Sequence, residues 1–421
     1  MTNTTKQSGI DWIGEIPSDW SLKKIRFATT VRTEVGKYTP DDVFIGLENV
    51  ESSSGRLIQT ESEYEEGIYD VFRKGDVLFS KLRPYLEKAF IADFDGFCTG
   101  EFVIFKGFDG DKRFLFYFLL SHGFIEIVNS STYGAKMPRA SWDYIKNLQL
   151  PLPCATEQRS IIAFLDDRCG YVDGIIADLE MQLEVLRQYK KALITETVTK
   201  GLDKSAPMKD SGIDWIGEMP RHWELKRVKH STSVIGSGTT PESGNTDFYD
   251  GDIPWIQSGD LYGRDVIIET EKTITPLAVK SCSALRLYQN DFVIVAMYGA
   301  SVGNVAISKI SGYVNQACCV MLPNGSNDVR YLYYWLATCK DDLVRQSFGG
   351  GQPNISQQKI KNEPYLQAPL LEQQRIADFL DAKCAEMDAL IAEKQYSVET
   401  MRQYKRSLIY EYVTGKKRVV S

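Results

Sequence analysis

A chain of 421 residues exceeds what a single hydrophobic core usually supports, about 250–300 residues, so more than one core is expected. Hydrophobic residues at 43% and charged residues at 25% are those of an ordinary globular protein. The formal net charge of -7, from 49 Lys and Arg against 56 Asp and Glu, argues against a simple nucleic-acid coat, although phosphate neutralisation depends on local basic patches and not on the total.

In chain order, the first segment to stand out is Ser8-Gly-Ile-Asp-Trp-Ile-Gly-Glu-Ile-Pro17. Between Arg26 and Leu150, short apolar runs bounded by turn residues predict strands at Val43–Leu47, Asp76–Ser80, Lys88–Ile91 and Phe102–Phe105, then a helix near Phe114–Leu120. Two loops of this lobe are candidates for DNA contact. The first holds Lys81, Arg83 and Tyr85 around the stiffening Pro84, with Lys88 just beyond; the second holds Tyr133, Lys136 and Arg139 around Pro138. Lys and Arg bind phosphates, and Arg grips the guanine edge in two places. A solvated basic loop explains either one equally well when taken alone.

From Glu157 to about Val198 no proline occurs, and helix formers dominate. Steps of seven give Leu165, Val172, Leu179, Leu186 and Leu193, with Ile162, Cys169, Ile176 and Leu183 as a second stripe. Two apolar stripes sustained over several heptads predict a seam between helices. Lys190 interrupts the second stripe, either specifying register or marking where the seam ends, and Gly170 and Gly174 each lower helix propensity by ~1 kcal/mol, which leaves room for a kink.

A second lobe follows, with strands predicted at Ile253–Ile256, Asp291–Ala296, Asn304–Ile307 and Ala317–Leu322 and a helix near Tyr331–Thr338. Its candidate contacts lie in three glycine-spaced loops. These hold Ser237, Thr239 and Thr240; Tyr298 and Ser301; and Gln352 and Asn354. Glycine lets backbone approach a ligand closely. Asn245, Gln257, Ser258 and Gln352 have the chemistry to bind adenine or phosphate. Tight turns are the simpler explanation for each loop alone. The final helix repeats the double stripe as Leu380, Met387, Lys394, Met401, Leu408 and Ala377, Cys384, Ile391, Val398, with Lys405 where the first copy has Lys190.

The chain is a duplication. The opening motif returns as Ser211-Gly-Ile-Asp-Trp-Ile-Gly-Glu-Met-Pro220, 203 positions on, and Trp20, Leu22 and Lys23 return as Trp223, Leu225 and Lys226. Glu157-Gln158, Ile161, Phe164-Leu165-Asp166, Cys169 and Asp173 return as Glu372-Gln373, Ile376, Phe379-Leu380-Asp381, Cys384 and Asp388, 215 positions on. A repeat of half the chain is too long for a solenoid and suits two domains, each followed by a helix. The ends repeat while the middles diverge, as expected of one scaffold presenting two different surfaces. Two helices of ~42 residues, each ~63 Å long, paired antiparallel, would hold the domains apart with approximate two-fold symmetry.

Enzyme motifs are missing where they would be needed. There is no Gly-x-x-x-x-Gly-Lys-Ser/Thr for nucleotide hydrolysis and no Asn/Asp-Pro-Pro-Tyr/Phe for amino-methyl transfer. Gly236-Ser-Gly238 is the one hint of a cofactor loop, and no apolar strand is expected to lead into it. Eight cysteines without a Cys-x-x-Cys, and three scattered histidines, read as buried thiols and not as a zinc site or a disulfide framework. Neither a signal core nor an apolar run near ~18 residues is found, so a cytoplasmic protein with no membrane partner is expected.

These residues resemble the specificity (S) subunits of Type I restriction-modification systems. The resemblance rests on Gly-Ile-Asp-Trp-Ile-Gly-Glu-x-Pro-x-x-Trp, on Gly238-Thr-Thr-Pro241 with Ile253-Pro-Trp-Ile-Gln-Ser-Gly-Asp260, on Gln352-Pro-Asn-Ile-Ser356 leading to Pro369-Leu-Leu-Glu-Gln373, and on Leu82-Arg-Pro-Tyr85 with Lys88. Met137-Pro-Arg-Ala-Ser141 departs from the Gln-Pro-Asn-Ile-Ser pattern. The resemblance implies an α+β fold with a pseudo-two-fold internal repeat, in which two α/β target-recognition domains are separated by two long antiparallel coiled-coil helices. The expected boundaries are 1–155 and 211–370 for the domains, 156–200 and 371–416 for the helices, and 201–210 for a linker. It implies a non-catalytic subunit that binds double-stranded DNA, each domain reading half of a bipartite asymmetric site. Two methyltransferase (M) subunits would dock on the helices and restriction (R) subunits would join them. S-adenosylmethionine, ATP and magnesium would belong to those partners, this chain holding no cofactor and no metal. The alternatives are a specificity subunit of a methyltransferase-only or other modification system, and a structural adaptor that reads no bases.

Overall fold

The computed structural model describes residues 4–134, 136–289, 291–299, 301–345 and 354–419. The fold is α+β. The chain gathers into two compact units, Met1–Gln182 with Lys394–Ser421, and Leu183–Glu393, so each unit takes a stretch of both long helices.

In the first unit, a four-stranded antiparallel sheet runs in the order Thr29–Val31, Phe102–Phe108, Val77–Ser80, Ala89–Ile91. Val77–Ser80, Ala89–Ile91 and the first half of Phe102–Phe108 are apolar at almost every position because the sheet is covered there on both faces. Side chains alternate along a strand, so Val77, Phe79, Val103 and Phe105 enter a core with the helix Lys112–Leu120, while Leu78, Phe102 and Ile104 enter another with Phe72 and Phe90. The second core is closed by a sheet ordered Val35–Tyr38, Gly67–Phe72, Gly96–Cys98, Phe44–Ile45, the last pair parallel.

The second unit repeats this plan. A five-stranded sheet runs Thr232–Gly236, Cys318–Pro323, Phe292–Ala296, Val305–Ser308, Val266–Ile267. Val293, Val295, Cys319 and Met321 pack toward the helix Val329–Thr338, while Phe292, Ile294, Cys318 and Val320 face the opposite core. All eight strands expected from sequence have a counterpart here, as do both lobe helices. The strands at Val35–Tyr38 and Gly67–Phe72 were not expected, since exposed and charged positions interrupt their apolar pattern.

The repeated anchors fasten lobe to helix. In the first unit, the Gln158 Oε1 atom accepts from the Asp111 N–H at 2.8 Å and its Nε2 donates to the Pro153 carbonyl; Asp166 receives the Arg113 guanidinium at 2.8 Å and the Tyr117 hydroxyl at 2.5 Å. In the second, Gln373 accepts from Asp328 N–H and donates to Ala368, and Asp381 receives Arg330 and Tyr334, each at 2.8 Å.

The long helices are Ala155–Lys200 and Leu370–Val413, of 46 and 44 residues. The first runs unbroken through Gly170 and Gly174, where a Cβ would meet nothing within 4 Å, so neither glycine is needed for packing. Within the first unit, Asp173 meets Lys405 at 2.7 Å, Glu180 meets Arg402 at 2.7 Å and Gln182 meets Lys394 at 2.6 Å; one numbering rises as the other falls, so the pair is antiparallel. Within the second, Lys190 meets Asp388 at 2.7 Å. The two lysines that interrupt the heptad stripes thus make the same bridge twice, to aspartates that are themselves repeat equivalents. No helix among the described residues is long and apolar enough to cross a membrane.

Candidate nucleic-acid interface

Three segments meet at the end of the first lobe's central strand. Leaving Val77–Ser80, the chain donates Lys81 N–H to the Glu101 carbonyl at 2.8 Å and Arg83 N–H to the Pro138 carbonyl at 2.7 Å, while Ala140 N–H returns to the Lys81 carbonyl at 2.9 Å. Leu82 and Tyr133 each form an isolated bridge with Arg139. The turn Thr99–Phe102 closes the group through Phe102 N–H to the Thr99 carbonyl at 3.2 Å. Main-chain bonds therefore hold together the two basic loops, Arg83 being bonded to Pro138 and Lys81 to Ala140. Arg83 sits at φ +48°, a left-handed conformation a non-glycine residue rarely adopts. Tyr85 and Tyr133 are exposed, as are Lys136 and Arg139, and Arg139 pairs with Glu101.

The second lobe builds the same junction. Met297 N–H donates to the Ala317 carbonyl and Ile355 N–H to the Met297 carbonyl, each at 2.7 Å; Tyr298 bridges with Asn354, and Cys318 N–H donates to the Asn315 carbonyl at 3.3 Å. Thr240 donates its hydroxyl to Gln316 Oε1 at 2.6 Å, and the Trp255 indole donates to the Thr239 carbonyl at 3.3 Å. Gln316 also hydrogen bonds to Tyr298, whose hydroxyl burial holds above its ordinary pKa. The first two glycine loops thus converge through Gln316, a residue with no motif to announce it.

Other candidates are employed elsewhere. Lys88 donates to the Leu47 carbonyl at 2.7 Å, with its pKa lowered by burial, and lines a cleft against the long helices. Asn245 caps the short turn Thr246–Phe248, and Ser301 is buried at 5% exposure. Gln257 and Ser258 begin the turn Ser258–Leu261, half-buried, with Gln257 N–H bonded to Asp260. Gln352 lies outside the described residues. The sequence expectation about Gly236-Ser-Gly238 is corrected: the strand Thr232–Gly236 does lead into it. A Cβ on Gly238 would stand 1.7 Å from the Val314 carbonyl oxygen, so this glycine serves close packing of two backbones. The Tyr288 hydroxyl takes up the Ser237 carbonyl at 3.0 Å. Among the described residues, no group of three or more His, Cys, Asp or Glu is placed to hold a metal ion.

Comparison with known proteins gives the family and the fold. The family model described as Type I restriction modification DNA specificity domain matches residues 23–184 and again 220–400. The chain is 26% identical to a putative type I restriction enzyme MjaX specificity subunit of Methanocaldococcus jannaschii, over 97% of this chain and 96% of that one. It is 31% identical to the MjaIX specificity subunit of the same organism over 45% of this chain and 43% of the relative. In fold it is similar to a solved chain from work on complex assembly and conformational transition of the type I R-M system, with a TM-score of 0.73 at 18% identity, covering 96% of this chain and 99% of the other.

Proposed function

The chain belongs to the Type I restriction modification DNA specificity domain family, and from that premise we propose that it is the DNA-recognising specificity subunit of such a system, each lobe reading one half of a bipartite, asymmetric site. One observation carries the division into two half-sites: both lobes close the same main-chain junction, yet one fills it with Lys81, Arg83 and Arg139 and the other with Tyr298, Gln316 and Asn354. An identical frame with different side chains presents different hydrogen-bonding partners to base edges. The bipartite reading is tested by mapping methylated bases in host DNA with and without this gene; a palindromic or gapless site overturns it.

In this reading the chain itself is silent, and two methyltransferase subunits with their S-adenosylmethionine supply modification, joined by restriction subunits using ATP and magnesium. Methyl transfer to DNA by the purified chain alone would refute it. The repeat equivalents Tyr189 and Tyr404 are 56% and 50% exposed on the two long helices, which makes them the proposed anchors for the methyltransferase pair. Tyr404→Glu is expected to weaken assembly by ~2 kcal/mol, read by light scattering of the mixed subunits; full two-to-one assembly at unchanged concentration would remove that face from the interface.

Arg83→Ala is expected to weaken DNA binding by the assembled complex. If Arg83 grips guanine, the loss is ~1–3 kcal/mol and confined to one base of one half-site; if it meets phosphate, all sequences weaken alike. Titration against matched and single-mismatch duplexes decides, and unchanged affinity on every duplex would take Arg83 out of the interface.

A further inference from the structure

Among the described residues five buried side-chain polar atoms have no hydrogen-bond partner, and three of them belong to the first lobe's junction: Arg83 Nε, Thr99 Oγ1 and Glu101 Oε2. Folded proteins rarely leave such atoms unpaired, because burial without a partner forfeits the hydrogen bonds water would make. Their clustering where three loops meet marks a place shaped for something that donates and accepts.

The second lobe shows that the fold does not require these groups. Glu101 occupies the backbone position of Ala317, each offering its carbonyl to the strand exit, so the junction closes equally well without a carboxylate. Thr99 corresponds to Asn315, whose side chain is spent on Ala317 N–H at 3.1 Å, a local turn bond that Thr99 does not make. In Glu101, one oxygen takes the Arg139 guanidinium and the other is left over.

An ionised carboxylate only accepts, so the missing partner of Glu101 is a donor. In the major groove the donors are the exocyclic amino groups of cytosine and adenine. Adenine sets its amino group beside N7, an acceptor that repels a carboxylate and suits an amide. Cytosine has no such neighbour, and its partner guanine offers two acceptors to an arginine. We infer that Glu101 is a base-reading residue of the first lobe, accepting a hydrogen bond from the N4 amino group of a cytosine, with Arg83 donating to the guanine of the same base pair. This rests on the reading of the lobe as a DNA reader.

The test uses the full complex with its methyltransferase subunits. Methylated sites are mapped for the wild type and for Glu101→Gln. Expected is relaxation at a single G·C position of one half-site, with discrimination there falling about ten- to one-hundredfold and the other half-site unchanged. Independently, the wild type is assayed on duplexes carrying 2-pyrimidinone, which lacks the 4-amino group, in place of that cytosine; its methylation should fall by a similar factor, with Glu101→Gln losing nothing further. If the variant methylates all sequences more slowly with its base preference intact, or the wild type tolerates the analogue, Glu101 merely positions Arg139 and the inference is overturned. A wild-type complex that methylates without sequence preference would instead overturn the DNA-reading proposal beneath it.

Discussion

Replacing Gln373 with leucine is expected to destabilise the second unit by about 2–4 kcal/mol, read from urea unfolding. The side chain is fully buried and bonds to four partners: Asp328 N–H at 3.0 Å, the carbonyls of Ala368 and Ser326 at 2.7 and 3.2 Å, and Asn327 Oδ1 at 3.3 Å. Leucine fills much of the volume but leaves the Asp328 N–H dry and unpaired, at roughly 1–3 kcal/mol, and takes one donor each from the Ala368, Ser326 and Asn327 oxygens, which keep Gln367 or Tyr365. Asp328 adds to the effect, because its side chain caps the lobe helix through Arg330 and Tyr331 N–H and its own backbone is what Gln373 holds. Gln158→Leu breaks only two bonds, to Asp111 and Pro153, and should cost about half as much. A loss under ~1 kcal/mol for Gln373→Leu would show that the latch does not bear on stability.

The second large effect concerns Glu363. It is 3% exposed, its Oε1 has no partner, and it lines a pocket of about 460 Å³ with Trp215, Arg227 and Asp342. Burial, reinforced by the nearby Asp342 carboxylate and only partly opposed by Arg227, raises its pKa from the ordinary 4.5 to about 7. The folded state therefore holds a proton that the unfolded chain releases near 4.5. Stability should be unaffected by this group below about pH 4.5, fall as pH rises toward 7, and level off above, by on the order of 2–3 kcal/mol. The repeat equivalent in the first unit is Leu148, packed against its core. Glu363→Leu should accordingly raise the urea midpoint at pH 8 and flatten its dependence between pH 5 and 8. A variant that keeps the wild-type slope would show that another group titrates.

Much of this was legible in the sequence. The run Asp76–Ser80 and the heptads from Leu165 announce a doubly covered strand and a helix seam because burial on two faces, or along one stripe, dictates composition at every step. The duplicated Gln158 and Gln373 were visible as a repeat, but what they bind was not, since the donating N–H groups of Asp111 and Asp328 lie 47 and 45 residues earlier in turns without a pattern. The candidate site was half legible. Arg83 and Arg139 stood out as cations on stiffened loops, while Thr99, Glu101 and Gln316 sit in four-residue turns whose polar character is what any turn would show. At Lys88 the sequence shows a lysine beside two basic loops but not that its ammonium donates to the Leu47 carbonyl.

The junction in each lobe is closed by main-chain donors and acceptors, which every residue type but proline supplies in full. Side chains at Lys81, Thr99 and Glu101 can therefore be exchanged with little effect on whether the lobe folds, whereas Arg83, at φ +48°, admits fewer residue types without strain. Such an arrangement separates two kinds of heredity within one chain. The frame is inherited as hydrogen bonds, and if the junctions read DNA as proposed, a new recognition sequence can arise by substitution at a handful of positions without a new fold having to be found.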